Sequence, residues 1–258
     1  MNVRFAYKLA LLVALASIFL AACGAGGLSF GPTNTPQVVR IATDATYPPF
    51  ETVDEATKDL KGFDMDLIRE VAKQTGLNIE LVNLNFDSLL AGMAQCQYDA
   101  AISAITITDE RKQSMNFSDP YINAGQIVTV NIATTDINGP ADLAGKKIGA
   151  QLATTGAIEA GRLNAAEVKT YDTVDLAFQD LINKQIDAVV TDYPTSLSFV
   201  QVNMNDLKVV GEPFTNESYG IAVCQKNTAL LATLNDGLAK VKASGFVAEL
   251  EKKWLAGE

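Results

Sequence analysis

An α/β fold with largely parallel sheets is predicted by three features of this sequence. From Val38 onward, short apolar runs alternate with stretches of helical spacing. Turn-forming and capping residues fall between those runs, where strands and helices begin and end. The composition is 48% hydrophobic and 19% charged, enough to bury a core. Strand alternating with helix is the signature of βαβ units, and 258 residues suit one large domain or two ordinary ones.

The first 22 residues read as a targeting segment. Arg4 and Lys8 supply a positive start, and Leu9 to Ala22 is an uncharged apolar stretch ending in small residues. Leu20-Ala21-Ala22-Cys23-Gly24 resembles the lipobox of bacterial lipoproteins, which implies cleavage before Cys23 and lipid on its thiol. An ordinary signal peptide with a chance cysteine is the plainer alternative. Gly24 to Gln37, rich in Gly, Pro, Ser, Thr and Asn, then makes a flexible spacer.

Val38 to Thr43 follows as a short apolar strand, ended by the turn-prone Tyr47-Pro48-Pro49. Asp64 to Thr75 has Leu67, Ile68, Val71 and Ala72 on one helical face, with Asp64 as N-cap and Gly76 as stop. Leu77, Ile79 and Leu81 alternate as a strand, Phe86 to Ala94 is an amphipathic helix, and Ala100 to Ala104 a buried strand. A second cycle runs strand Gln126 to Asn131, a helix near Pro140 to Ala144, strand Lys147 to Gln151 and helix Thr155 to Arg162. The third takes helix Thr173 to Asn183 and strand Ala188 to Thr191. Strand Tyr219 to Val223 and helices from Thr228 and over Gly245 to Trp254 close the chain. No short-period repeat is present, so a solenoid is not predicted.

Charge and composition exclude several functions. The formal charge is −10, and becomes −12 once Arg4 and Lys8 leave with the leader. A strongly acidic chain with no basic run repels phosphate backbones, so nucleic acid is not an expected partner. The sequence has no His, which excludes His-based catalysis and His-containing metal sites. No metal or other cofactor is expected. With Cys23 lipidated, Cys96 and Cys224 remain as an even pair in an oxidising compartment, and bridge or free thiols are both open.

Six segments carry a family resemblance. These are Ile41-Ala42-Thr43-Asp44-Ala45-Thr46-Tyr47-Pro48-Pro49-Phe50-Glu51, Gly62-Phe63-Asp64-Met65-Asp66-Leu67, Asp99 to Arg111, Phe117-Ser118-Asp119-Pro120-Tyr121, and Gly149 to Gly156 with Val190-Thr191-Asp192-Tyr193-Pro194. In this order, over nearly the whole chain after the leader, they resemble the polar amino-acid-binding proteins of bacterial ABC importers.

Chemistry fits that resemblance. A free amino acid presents a carboxylate, an ammonium and a side chain, each losing water on capture. A guanidinium fork with backbone N–H groups suits the carboxylate. Arg111 sits where Thr108-Asp109-Glu110 announces a helix start, and the resemblance makes it the carboxylate clamp, with hydroxyl and N–H contacts from Thr106. A salt bridge from Arg111 to Asp109 or Glu110 is the plainer alternative. Asp192 ends an apolar strand, where α/β sheets present ligands. The resemblance assigns it the ammonium, with the carbonyl of Ala104; otherwise it caps a turn before Pro194. Asp44 has the same position after the first strand. Thr154 and Thr155 resemble the second lobe's anion contact, and as a local feature they form a helix N-cap. Tyr47 and Phe86 match aromatic positions that sandwich the ligand's aliphatic part, core packing being the alternative for Phe86. Gln151 stands where relatives carry Lys or Leu, which opens the side-chain specificity.

The resemblance implies a two-lobed periplasmic-binding-protein-like clamshell with two crossover hinge strands. Lobe 1 would take residues 38–124 and 217–258, lobe 2 residues 125–216, closing on the ligand by hinge motion. The expected protein is a monomer, lipid-anchored outside the cytoplasm, which hands glutamine or arginine to an ABC permease. Asp44 suits an amide or guanidinium and repels acidic side chains. Two other readings compete. Cyclohexadienyl dehydratases share the fold but need a positioned acid, and conversion of arogenate or prephenate would reveal one. The ligand-binding part of a receptor is the third, against which stands a chain ending at Glu258 without a further membrane or signalling segment.

Overall fold

Strand β1 (Val38–Thr43) lies near the middle of the first sheet, in a computed structural model that describes residues 38–256. The targeting segment, Cys23 and the spacer lie outside the described residues. Around β1 the sheet runs in the order β5 (Asn78–Asn83), β1, β6 (Ala100–Ala101), β15 (Ala222–Cys224), β7 (Met115–Phe117). β5, β1 and β6 are parallel, while β15 pairs antiparallel with both neighbours. Helices α1 (Phe63–Thr75), α2 (Phe86–Ala94), α6 (Thr228–Ala243) and α7 (Phe246–Trp254) accompany it. Ile41, Phe63, Met65, Leu67, Ile68 and Leu234 are among its solvent-free apolar side chains.

A second sheet repeats the plan with the order β11 (Glu167–Tyr171), β10 (Lys147–Gln151), β12 (Ala188–Asp192), β9 (Gln126–Asn131), β13 (Leu207–Val210). Its first three strands are parallel and β9 is antiparallel to β12 and β13. Every residue of β9, and every residue of β12, is buried. That is why Ile127–Val130 and Ala188–Thr191 carry nothing more polar than threonine, as strands covered on two faces do. Helices α3 (Thr155–Arg162), α4 (Val174–Ile182) and α5 (Tyr193–Val202) belong to this lobe.

The chain leaves the first sheet through β8 (Ile122–Ala124) and returns through β14 (Glu217–Tyr219), and these two pair as an antiparallel ribbon between the lobes. A small sheet of β2 (Thr46–Tyr47), β3 (Glu51–Val53) and β4 (Leu60–Lys61) precedes α1. Cys96 and Cys224 form a disulfide, deciding the question that spacing left open.

Four local expectations are corrected. Asp64 is not an N-cap: α1 starts one residue earlier, after Gly62, whose φ of 134° and approach to the Phe50 carbonyl exclude any side chain. Asp64 instead turns inward and is fully buried. Arg111 begins a single 3₁₀ turn, Arg111–Gln113, because β7 starts two residues later and leaves no room for a helix. Pro140–Leu143 is likewise one 3₁₀ turn. The strand expected over Tyr219 to Val223 is two, β14 in the hinge and β15 in the first sheet, separated by Gly220 and Ile221.

Candidate functional site

Each sheet delivers its site residues from the carboxyl ends of its parallel strands, where flanking helices diverge and leave a crevice. Asp44 follows β1, and Ser103, Ala104 and Thr106 follow β6. In the other lobe Gln151 ends β10, Thr154 and Thr155 open α3, and Asp192 ends β12. The ten residues named from sequence line one narrow pocket, with Ser103 as an eleventh.

Arg111 spans the cleft. Its Nη1 donates to the Thr106 carbonyl at 2.9 Å and its Nη2 to the Ala153 carbonyl of the other lobe at 3.0 Å. The guanidinium lies 5.4 Å from the centre of the Phe86 ring, so Phe86 serves as its stacking platform. Neither Asp109 nor Glu110 forms a salt bridge with it, which removes the plainer alternative. Burial lowers its pKa, opposed by the charges of Asp192 and Glu217.

Asp192 makes no capping bond to α5. Its carboxylate accepts hydrogen bonds from the Tyr47 hydroxyl across the cleft and from Gln126 Nε2 at 2.9 Å. Burial, then the charge of Glu217, push its pKa up to about 7. Tyr47 also meets Thr191 Oγ1 at 2.7 Å, and burial together with Asp192 pushes its phenol well above the ordinary range.

Asp44 and Gln151 meet from opposite lobes. Gln151 Nε2 donates to Asp44 Oδ2 at 2.7 Å and to the Asp172 carbonyl at 3.2 Å. Two acceptors around one nitrogen fix the amide orientation, and Oε1 remains as a free acceptor. Asp44 also accepts from Thr46 Oγ1 and from the Phe86 N–H, while burial raises its pKa. This end of the pocket therefore presents acceptors to a side chain rich in donors.

Thr154 caps α3, its Oγ1 accepting from the Ala157 N–H at 3.2 Å. Thr106 and Thr155, from the two lobes, both donate to Glu217 Oε2 at 2.7 Å. Thr155 Oγ1 also accepts from Gln126 Nε2 at 3.2 Å, so Gln126, Thr155, Glu217 and Thr106 form one polar chain across the cleft. Glu217, Gln126 and Ser103 were missed by sequence reasoning. Ser103 lies within the Asp99 to Arg111 segment of the family resemblance, whereas Glu217 is a hinge residue 111 positions from Thr106 with no local signal.

Comparison with known proteins agrees with this geometry. Residues 39–257 match the family described as bacterial extracellular solute-binding proteins, family 3. A probable histidine-binding protein of Neisseria gonorrhoeae is 34% identical, covering 95% of this chain and 94% of its own. ABC transporter arginine-binding protein 1 of Escherichia coli K12 is 36% identical over 96% and 98%. The crystal structure of the arginine-, lysine-, histidine-binding protein ArtJ from Geobacillus stearothermophilus superposes with a TM-score of 0.80. It is 38% identical and covers 86% of this chain and 96% of that one. A two-lobed fold, a pocket fed by both lobes and a match from residue 39 to 257 place this chain in family 3 of the bacterial extracellular solute-binding proteins.

Proposed function

We propose that this protein captures a free, polar L-amino acid between its lobes and presents it to the permease of an ABC importer. The observation that carries the reading is one buried pocket holding a guanidinium, Arg111, and a carboxylate, Asp192, for the two charges of a zwitterion. Lobe 1 is taken as residues 38–124 and 217–258, and lobe 2 as 125–216. Arg111 holds the α-carboxylate; Asp192 and the Ala104 carbonyl hold the ammonium. Thr106, Thr154 and Thr155 complete the polar wall, and Tyr47 and Phe86 flank the methylene stem.

Arginine is the favoured ligand and glutamine the second. Asp44 and the free Oε1 of Gln151 offer only acceptors to the side chain, which suits a guanidinium or an amide N–H₂. Three carboxyl groups, on Asp44, Asp192 and Glu217, face the single cation Arg111 at or beside this pocket, so a cationic ligand relieves more repulsion than a neutral one. Relatives named for arginine and neighbours bound to arginine or glutamine support this choice, beside others named for histidine and cystine. A thermal-shift screen over the twenty amino acids tests it, since a ligand that prefers the native state raises Tm. Glutamate or aspartate as the tightest ligand would refute it.

The reading is of a monomeric binding device and not an enzyme, and incubation with arogenate or prephenate is expected to give no aromatic product. Cys23 carries the lipid that holds the protein at the outer face of the cell membrane, on the spacer of residues 24–37. Two acyl chains give stable attachment, so Cys23→Ala should move the protein to the soluble fraction.

A further inference from the structure

Behind the pocket wall lie two carboxyl groups with no cation beside them. Glu51, at the start of β3, and Asp64, in the first turn of α1, are both fully buried, and no salt bridge reaches either among the described residues. Glu51 Oε1 accepts from the Ser103 hydroxyl at 3.1 Å. Asp64 Oδ2 accepts from the Ala104 N–H and the Tyr121 hydroxyl, each at 2.8 Å. Each carboxyl keeps one oxygen without a donor, Oε2 of Glu51 and Oδ1 of Asp64. The backbone brings the two groups side by side, because the Asp64 N–H donates to the Phe50 carbonyl at 3.0 Å and the carboxyls bond the consecutive residues Ser103 and Ala104. Two adjacent carboxylates buried without a cation cannot both ionise, whereas one shared proton satisfies both free oxygens.

The pair touches nothing in the pocket directly, yet it holds two residues that line it. Ala104 has a φ of 44°, a left-handed conformation that an alanine keeps only when its surroundings impose it. The bond from its N–H to Asp64 imposes it. On the other side, the Ser103 hydroxyl that donates to Glu51 accepts from the Asp44 N–H at 2.9 Å. We propose that Glu51 and Asp64 are positioning residues acting as one proton-sharing pair. Glu51, as the acid, donates to the Asp64 carboxylate, and together they fix the Ala104 and Asp44 backbones for the cationic groups of the ligand. The proposal rests on the amino-acid-binding reading for its effect on affinity, but not for the shared proton.

Burial and the neighbouring Asp64 charge hold the Glu51 carboxyl far above its ordinary value, while Asp64 is pushed only to about 6. Charged and titratable neighbours of the pair are Asp44 and Tyr121, neither of which supplies a positive charge. At neutral pH the proton therefore sits on Glu51. Raising the pH into the alkaline range removes it to solvent, opposes two carboxylates and releases the Ala104 and Ser103 contacts.

Two conservative variants separate proton from shape. Gln at 51 keeps a donor toward Asp64 and an acceptor for Ser103. Asn at 64 keeps the acceptor for Ala104 and Tyr121 and offers a donor to Glu51. Infrared difference spectra of ligand-free protein at pH 8, where Asp192 is ionised, should show a protonated-carboxyl band that is lost in Glu51→Gln. Spectra of parent and variant that coincide in that region would overturn the pair. With L-arginine as the probe, affinity should decline at alkaline pH more steeply in the parent than in Glu51→Gln, whose profile should follow only the titration of the ligand's own α-ammonium. Asp64→Ala, which strands a buried N–H, should bind about tenfold or more weakly, and Asp64→Asn within about threefold of parent. A Glu51→Gln profile as steep as the parental one, or Asp64→Ala binding as the parent does, would refute the positioning role. If L-arginine does not bind the parent, the ligand assignment fails and the infrared result still decides the pair.

Discussion

Arg111 and Asp192 are expected to bear most of the affinity, because each meets one full charge of the ligand in a pocket that excludes water. Removing one member of such a pair leaves the other charge buried and costs about 3–5 kcal/mol. Arg111→Ala and Asp192→Ala should each weaken binding by about two to four orders of magnitude in titration calorimetry, with the fold retained. A folded variant that binds normally would exclude its residue from the site. Acid pH tests Asp192 separately. Its pKa of about 7 lies above the ordinary 3.8, so its contribution to folding stability is greatest below about pH 3.8 and is lost as pH rises through 7. Ligand binding has the opposite sign, since an ammonium requires the charged form. Affinity should fall by up to about tenfold per pH unit below 7, and Asp192→Asn should remove that slope. Asp192 could be named beforehand because it ends a recognisable apolar strand, and Arg111 because it lies in a segment that carries the family resemblance. Asp64 looks like a helix cap in sequence, and Glu51 carries no local signal beyond closing a segment of the family resemblance. Only the fold brings Asp64 against Ala104, 40 positions away.

Helix α2 spans Phe86–Ala94, the bounds read from its apolar spacing, and β9 spans Gln126–Asn131 in the same way. Both have one face, or both faces, against a core, so burial writes itself into the residue pattern. β11 escaped notice because it is an edge strand whose first four residues are at least partly exposed. α5 was hidden by the Tyr193-Pro194 turn signal, although proline in a first helical turn is compatible with a start. Arg111 shows the opposite error: a good capping sequence predicts a helix, and tertiary structure allows one 3₁₀ turn. Its role survives because Thr106 and Ala153 hold the side chain, not the helix N-terminus. α3 does carry its cap. Thr154→Val should cost about 1 kcal/mol of stability, measured by denaturant unfolding, while its neighbour Thr155 keeps its bond to Glu217.

Two lobes joined by the β8–β14 ribbon make closure a rotation about two short strands. Direct bonds already cross the cleft, between Tyr47 and Asp192, Gln151 and Asp44, and Arg111 and Ala153. A ligand that replaces them with its own must bind the closed form better than the open one, and the closed population follows from that difference. Small-angle scattering should show a smaller radius of gyration at saturating arginine than without it. No change, with binding confirmed by calorimetry, would exclude hinge closure. Gly220 and Ile221 part β14 from β15, so the ribbon and the first sheet are separate elements.

The bond between Cys96 and Cys224 has a mechanical consequence. Both cysteines belong to the first lobe, and the 128-residue separation between them contains both hinge strands and the whole second sheet. The second lobe is thus a covalently closed ring hanging from the first. Tension applied between the two ends of the chain is carried through the sulfur atoms and bypasses that ring. About 450 Å of contour length stays hidden from a pulling force until the bond is reduced. A protein tethered at one end can be stretched by its surroundings while the half that carries Gln151, Thr155 and Asp192 feels none of the load.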